Sequence, residues 1–158
     1  MPADTPENKI ELRIEPMKRS DLGDVMGTEM RSFPKPWTLA MFENELENPV
    51  SFSFVARAEG SLPSPRVIAY AVFWIVRGEA HILNLAVHPE WRRRGIALMF
   101  LKSIIDTMRR KEVFEVVLEV RKSNAAAVSL YKGLGFSEAY TRKRYYGDED
   151  AIVMTLEL

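Results

Sequence analysis

A chain of 158 residues fits one domain with a single core, able to bury roughly two thirds of the surface it exposes when unfolded. Hydrophobic residues make up 47% and charged residues 28%, which argues against disorder, and the lack of cysteine excludes disulfides, thiolate nucleophiles and cysteine metal sites. Net charge is zero, so no overall field draws the protein to nucleic acid or an anionic membrane, yet residues 91–112 carry seven basic against two acidic side chains while residues 1–50 carry ten acidic against six basic.

Residues 1–9 read as a polar, acidic, flexible tail, with one domain over 10–158. Ile10, Leu12 and Ile14 alternate with charged residues as in a half-buried strand. Ser20 and Asp21 can cap a helix with Leu22, Val25, Met26 and Met30 on one face, broken by Arg31-Ser32-Phe33-Pro34-Lys35-Pro36-Trp37. Thr38 starts a second short helix through Phe42 and Leu46.

Phe52–Ala58 and Val67–Val76 read as paired strands around the turn Glu59–Pro65, and Arg77-Gly78-Glu79 leads into His81–Val87, giving an antiparallel meander. Beyond Val87 the period changes to that of a helix carrying Leu98, Leu101, Ile104, Ile105 and Met108, followed by the strand Val113–Val120. Strand, helix and strand imply a right-handed parallel crossover. Asn124–Leu134 is a fourth helix stopped by Gly135, and Phe136–Tyr140 and Ala151–Leu158 are the last strands. The expected class is α/β (α+β): a mixed, mostly antiparallel sheet of about seven strands with about four helices. No apolar run is long enough to span a bilayer, and a cytoplasmic protein is expected.

The first turn of a crossover helix exposes amides with no helical acceptor, and the helix dipole adds positive charge there. Arg92-Arg93-Arg94-Gly95-Ile96-Ala97 supplies small residues where a pyrophosphate would approach the backbone, with arginines beside it. A solvated basic turn accounts for the segment equally well. Neither a P-loop nor a dinucleotide-binding glycine pattern is present, and Trp91 is the only aromatic beside the basic run, which disfavours nucleic acid. His81 and His88 stand alone in sequence and read as structural, with no metal expected.

Leu85-Ala86-Val87-His88-Pro89-Glu90-Trp91 followed by Arg92–Ala97 closely resembles the acetyl-CoA motif of the GNAT superfamily, [Q/R]-x-x-G-x-[G/A] after a strand ending in a valine-x-proline turn. Leu118–Ala127, Leu130-Tyr131 and Gly133-Leu134-Gly135-Phe136 resemble the ribosomal-protein-alanine N-acetyltransferases and other amino-terminal acetyltransferases, as does Arg144-Tyr145-Tyr146 with Glu149–Met154. The likeness is strongest over residues 83–154. Before that, Phe33-Pro34 and Trp37 resemble a substrate loop that is often a tighter Phe-Pro-Trp in the family, here with Lys35-Pro36 inserted.

The resemblance implies an acetyl-CoA-dependent N-acetyltransferase acting by direct attack in a ternary complex on a protein N-terminus, such as that of a ribosomal protein. It implies that Leu85, Ala86 and Val87 offer backbone amides to the acetyl group, and that Arg92, Arg93, Arg94, Gly95, Ile96, Ala97 and Leu98 hold the pyrophosphate. Glu119 would act through water as base, since an α-amino group with a reference pKa of about 7.7–8 needs no large shift. From the sequence alone Glu119 reads first as a solvent-facing or Arg121-neutralised carboxylate late on its strand, on the face of Glu115, Val117 and Arg121. Tyr131 would protonate the leaving thiolate, against the plainer reading of a packed helix tyrosine, and Asn124 would cap that helix and reach the cofactor.

Tyr145 and Tyr146 are candidate walls for the acceptor terminus, with Glu149 and Asp150 to attract its ammonium and with Trp37 and Glu45 opposite. Acetylation of a small amine by the same site, and a CoA-binding module without turnover, are the alternatives.

Overall fold

The structure, a computed structural model, describes residues 11–59 and 66–158. The tail at 1–9, Ile10 of the first strand and the turn at 60–65 lie outside the described residues. The elements run in order β1 (Leu12–Pro16), α1 (Leu22–Ser32), α2 (Leu39–Glu47), β2 (Ser51–Ala58), β3 (Val67–Val76), β4 (Glu79–Val87), α3 (Ile96–Arg110), β5 (Glu115–Arg121), α4 (Ala125–Gly133), β6 (Ser137–Arg142) and β7 (Ala151–Glu157). The strands form one mixed sheet in the order β1-β2-β3-β4-β5-β7-β6, parallel only between β4 and β5. The expected class, meander and crossover are all present, with β7 inserted between β5 and β6.

Helices cover both faces. On one, α3 lays a stripe of Ile96, Phe100, Leu101, Ile104, Ile105 and Met108 against Ala56, Ile68, Val116 and Leu118, the three-and-four spacing of an amphipathic helix. Each such fully buried side chain contributes roughly 1.5–3 kcal/mol. On the other, Leu22 and Val25 of α1 and Phe42 of α2 pack on Val55, Tyr70 and Val72.

Two expectations about faces fail. Met30 is 67% exposed, because the buried stripe of α1 turns through Thr28 and Glu29. The expected strand Val113–Val120 begins at Glu115 instead, and Phe114, which alternation would set on one face with Val116, Leu118 and Val120, is 57% exposed. The Asp21 carboxylate also departs from capping α1: one oxygen accepts from the Lys18 amide and the other is paired with Arg57. Thr38 behaves as expected, its hydroxyl accepting from the Met41 amide at the start of α2.

One irregularity creates the site. Val72 pairs with Asn84 but Phe73 pairs with Ile82, so Leu83 is an extra residue on β4. A bulge bends its strand and disturbs the alternation of side chains. Ile82 faces the α3 core, Leu83 and Asn84 both turn to the α1 side, and alternation resumes with Leu85 toward α3 and Ala86 toward α1. Pairing of β4 with β5 ends at Ile82 and Leu118, and the strands part beyond it.

Candidate active site

The gap between the parted strands opens into a cleft of about 660 Å³ lined by Ile82–Leu85 of β4 and Leu118–Arg121 of β5. Asn124, Ala127 and Tyr131 of α4 line it from one side; Glu29, Phe33, Pro34, Lys35 and Trp37 from α1 and its following loop line it from the other. Tyr145 and Tyr146, from the β6–β7 connection, complete the wall. The predicted Glu119, Asn124, Tyr131, Trp37, Tyr145 and Tyr146 are thus brought together across more than 90 residues of sequence.

The amide directions of β4 follow from its ladder. The His88 amide donates to the Ile68 carbonyl, so by alternation the Ala86 amide also faces β3 while those of Leu85 and Val87 face the gap. Of the three residues expected to present amides, Ala86 therefore turns its own away from the cleft.

The strand then runs through a short 3₁₀ turn, Pro89–Trp91, into α3. Arg93 and Gly95 have positive φ of 62° and 74°, and the first helical hydrogen bond to Gly95 comes from Met99. The amides of Ile96, Ala97 and Leu98 are consequently left without helical acceptors at the positive end of the dipole. A Cβ on Gly95 would meet nothing within 4 Å, so open space lies over that amide cradle. This geometry fits a pyrophosphate.

The arginines are less free than expected. Arg92 donates from Nε to the Val87 carbonyl at 3.1 Å and from Nη2 to Ser32 Oγ at 2.9 Å, tying the turn to the end of α1. Arg94 lies 4.8 Å over the Trp91 ring.

Val116, Leu118 and Val120 point into the α3 core, which sends Glu119 to the opposite face. Arg121 does not neutralise it, being paired instead with Asp148 and Glu149. Glu119 Oε2 lies 2.6 Å from His81 Nε2, and Oε1 is 3.4 Å from Arg142 Nη1, with the carboxylate side chain 9% exposed. Burial pushes the carboxyl up, but hydrogen bonding and charge from His81, with Arg142, outweigh it and hold the group below the ordinary glutamate value. Glu119 is therefore ionised at neutral pH and can only accept, so His81 carries its proton on Nε2. His81, which stands alone in the sequence, is the partner of Glu119: it sits on β4, 38 residues away, and the parallel register places it beside β5.

Tyr131 is 9% exposed against Phe136, and burial pushes its phenol up to about 12. Asn124 caps α4, its Oδ1 accepting from the Ala127 amide at 3.1 Å. Tyr146 is likewise pushed up to about 12 by burial, and Arg121 and Arg142 lie 4.3 and 4.6 Å over the Tyr146 and Tyr145 rings. Glu149 and Asp150 do not face the cleft as free acids: Glu149 accepts from the Ser123 amide and Arg121, and Asp150 from the Arg144 amide. Glu45 bonds Trp74 and is not part of the wall. Lys35 of the inserted pair donates to the Tyr146 carbonyl at 2.8 Å, strapping the front loop to the β6–β7 connection.

The model of the acetyltransferase (GNAT) family matches residues 22–136. The chain belongs to this family. It is 37% identical over 150 residues to the [ribosomal protein bS18]-alanine N-acetyltransferase of Salmonella typhimurium, which covers 92% of this chain and 97% of that protein. The crystal structure of the ribosomal-protein-S18-alanine N-acetyltransferase from Escherichia coli superposes with a TM-score of 0.83 at 34% identity, over 93% of this chain and 94% of that one. The NatC complex bound to Gag peptide and CoA gives a TM-score of 0.80 at 25% identity, over 94% and 99%. This GNAT chain is an N-acetyltransferase that takes its acetyl group from acetyl-CoA. Among the described residues no helix is long and apolar enough to cross a membrane, and no His, Asp and Glu cluster is arranged to hold a metal.

Proposed function

We propose that the cleft transfers acetyl to the α-amino group of a protein N-terminus, a ribosomal protein that begins with alanine being the first candidate. The observation that carries this is Glu119, ionised and nearly buried, facing a gap between parted strands with Tyr131 on α4 and the β4 amides around it. The relatives named for protein N-termini match this chain almost end to end, which disfavours a small amine as acceptor. A cytoplasmic setting, where ribosomal proteins present their termini, belongs to the same proposal.

Acetyl-CoA supplies the activated thioester acyl group. The amides of Ile96, Ala97 and Leu98, with the open space at Gly95, hold its pyrophosphate. The Leu85 and Val87 amides, about 6.7 Å apart along the strand, face the gap, where one of them would meet the negative charge that grows on the acyl oxygen as the amine attacks. Glu119 takes the amine proton through water, with His81 fixing the carboxylate by its Nε2–H. Tyr131 donates toward the departing sulfur. Trp37, Tyr145 and Tyr146 flank the entering chain.

The test is acetyl-CoA turnover on peptides presenting free, blocked or lysine-only amines, with mass spectrometry of the product. Acetylation confined to free α-amino termini is expected. Turnover with polyamines or amino acids and none with peptides would overturn the assignment.

A further inference from the structure

A buried polar cluster beside the acceptor end of the cleft takes no part in the chemistry above. Glu29 of α1 is 1% exposed and accepts on Oε1 from the Tyr70 hydroxyl at 2.7 Å and from Asn84 Nδ2 at 2.9 Å, and on Oε2 from the Trp37 amide at 2.9 Å. That bond turns the Asn84 Nδ2 toward Glu29 and its Oδ1 away. Asn84 is 7% exposed, and that Oδ1 is buried without a hydrogen-bond partner among the described residues. Buried carbonyl oxygens are almost always partnered, and this one belongs to a residue lining the cleft, where a donor on the bound acceptor would complete it. The β4 bulge is what sets Asn84 on the α1 side, one residue before the gap-facing amide of Leu85.

We propose that Asn84 Oδ1 accepts a hydrogen from the α-amino group of the incoming terminus; this rests on the N-terminal acceptor reading of the site. A primary amine that attacks a carbonyl must aim its lone pair at carbon, and two anchored N–H bonds fix that direction. Glu119, through water, takes one and Asn84 takes the other. The Tyr70 hydroxyl and the Trp37 amide hold Glu29 in place, and Glu29 in turn locks the Asn84 amide in the orientation this needs. A small-amine or cofactor amide contact would place the same oxygen to a different use, and the kinetics separate them.

The experiment measures KM for peptide and for acetyl-CoA, with melting temperature, in wild type, Asn84→Val and Asn84→Ser. A lost hydrogen bond to a charged or ionisable donor predicts a peptide KM raised roughly tenfold to a hundredfold with acetyl-CoA KM unchanged. Wild type should also discriminate against a peptide beginning with N-methylalanine, which has one N–H fewer, and Asn84→Val should lose most of that discrimination. An unchanged peptide KM, or an equal rise in acetyl-CoA KM, overturns the proposal. Should both variants fail to fold, a wild-type complex with a CoA–peptide conjugate decides it: the conjugate nitrogen lies within hydrogen-bond distance of Asn84 Oδ1, or the proposal is wrong. If wild type acetylates no peptide, the N-terminal reading itself fails; if it does and the variants match it, only this inference falls.

Discussion

Replacing Tyr131 by phenylalanine removes one oxygen and little else, since the ring keeps its 5.6 Å contact with Phe136. Burial holds the phenol near 12, whereas a reference thiol sits at ~8.5, so complete proton transfer to a free thiolate is uphill by about 3.5 pKa units, or about 5 kcal/mol. Tyr131 therefore works as a hydrogen-bond donor to the charge growing on sulfur, in a site where low dielectric strengthens that bond, rather than as an acid that fires first. Tyr131→Phe is expected to lower kcat by about 10²–10³ with acetyl-CoA KM unchanged. Thiol release followed from about pH 6 to about pH 11 should rise with ionisation of the acceptor ammonium, reference ~7.7–8, and then stay flat. The sign is fixed by the upward shift: the phenol stays protonated, and its contribution to stability persists, below its unfolded value of ~10, the latter being lost only as pH climbs toward 12. A falling limb near pH 10, or a variant within a few-fold of wild type, would refute the reasoning.

Glu119→Gln removes the proton acceptor and should cost about 10²–10⁴ in kcat; retained turnover on a peptide substrate would remove Glu119 from the chemistry. His81→Ala takes away the main group opposing burial at Glu119, so that carboxyl should rise and the pH–rate profile should gain an acid limb at higher pH than wild type, whereas an unmoved limb would break the link between the two residues. In wild type the depressed Glu119 value contributes stability present above its unfolded pKa of ~4.3 and lost as pH falls through the lower folded value, a dependence that acid unfolding of the two proteins should show as reduced or reversed in His81→Ala. Gly95→Ala puts a methyl into open space at φ +74°, costing about 1–2 kcal/mol of stability but leaving a folded protein. Its acetyl-CoA KM should nonetheless rise by an order of magnitude or more, and calorimetric binding equal to wild type would argue against the cradle.

Most of the fold was legible because its signals are local. The strands of the meander alternate, α3 carries its stripe at helical spacing, and Gly95, Asn124 and Gly135 punctuate turns in ways a single sequence displays. Glu119, Asn124 and Tyr131 were reached by likeness to a family motif, and the structure places them around one cleft. What stayed hidden depends on register. His81 gains its partner through a parallel pairing with β5, and Glu149 and Asp150 lose their expected role because Arg121, Ser123 and the Arg144 amide claim them first. Arg92 read as a phosphate ligand because its motif says so, yet the nearest acceptors are the Val87 carbonyl and Ser32.

The extra residue at Leu83 is the physical reason these parts form one site. An unbroken β4 would keep alternating, and Asn84 would share the α3-facing side with Ile82 instead of meeting Glu29. Insertion of one residue reverses the phase, so an asparagine reaches the α1 side while Leu85 returns to the core. The same bend ends the pairing with β5 at Leu118, one residue before Glu119. The cleft, the gap-facing amides, the exposed side of the carboxylate and the orphan carbonyl of Asn84 are then consequences of one local departure from regular sheet geometry. A bulge leaves no residue-type signature in the string Ile82-Leu83-Asn84-Leu85, all of which read as strand, and this is why the sequence pointed to the chemistry without showing how the strands make room for it.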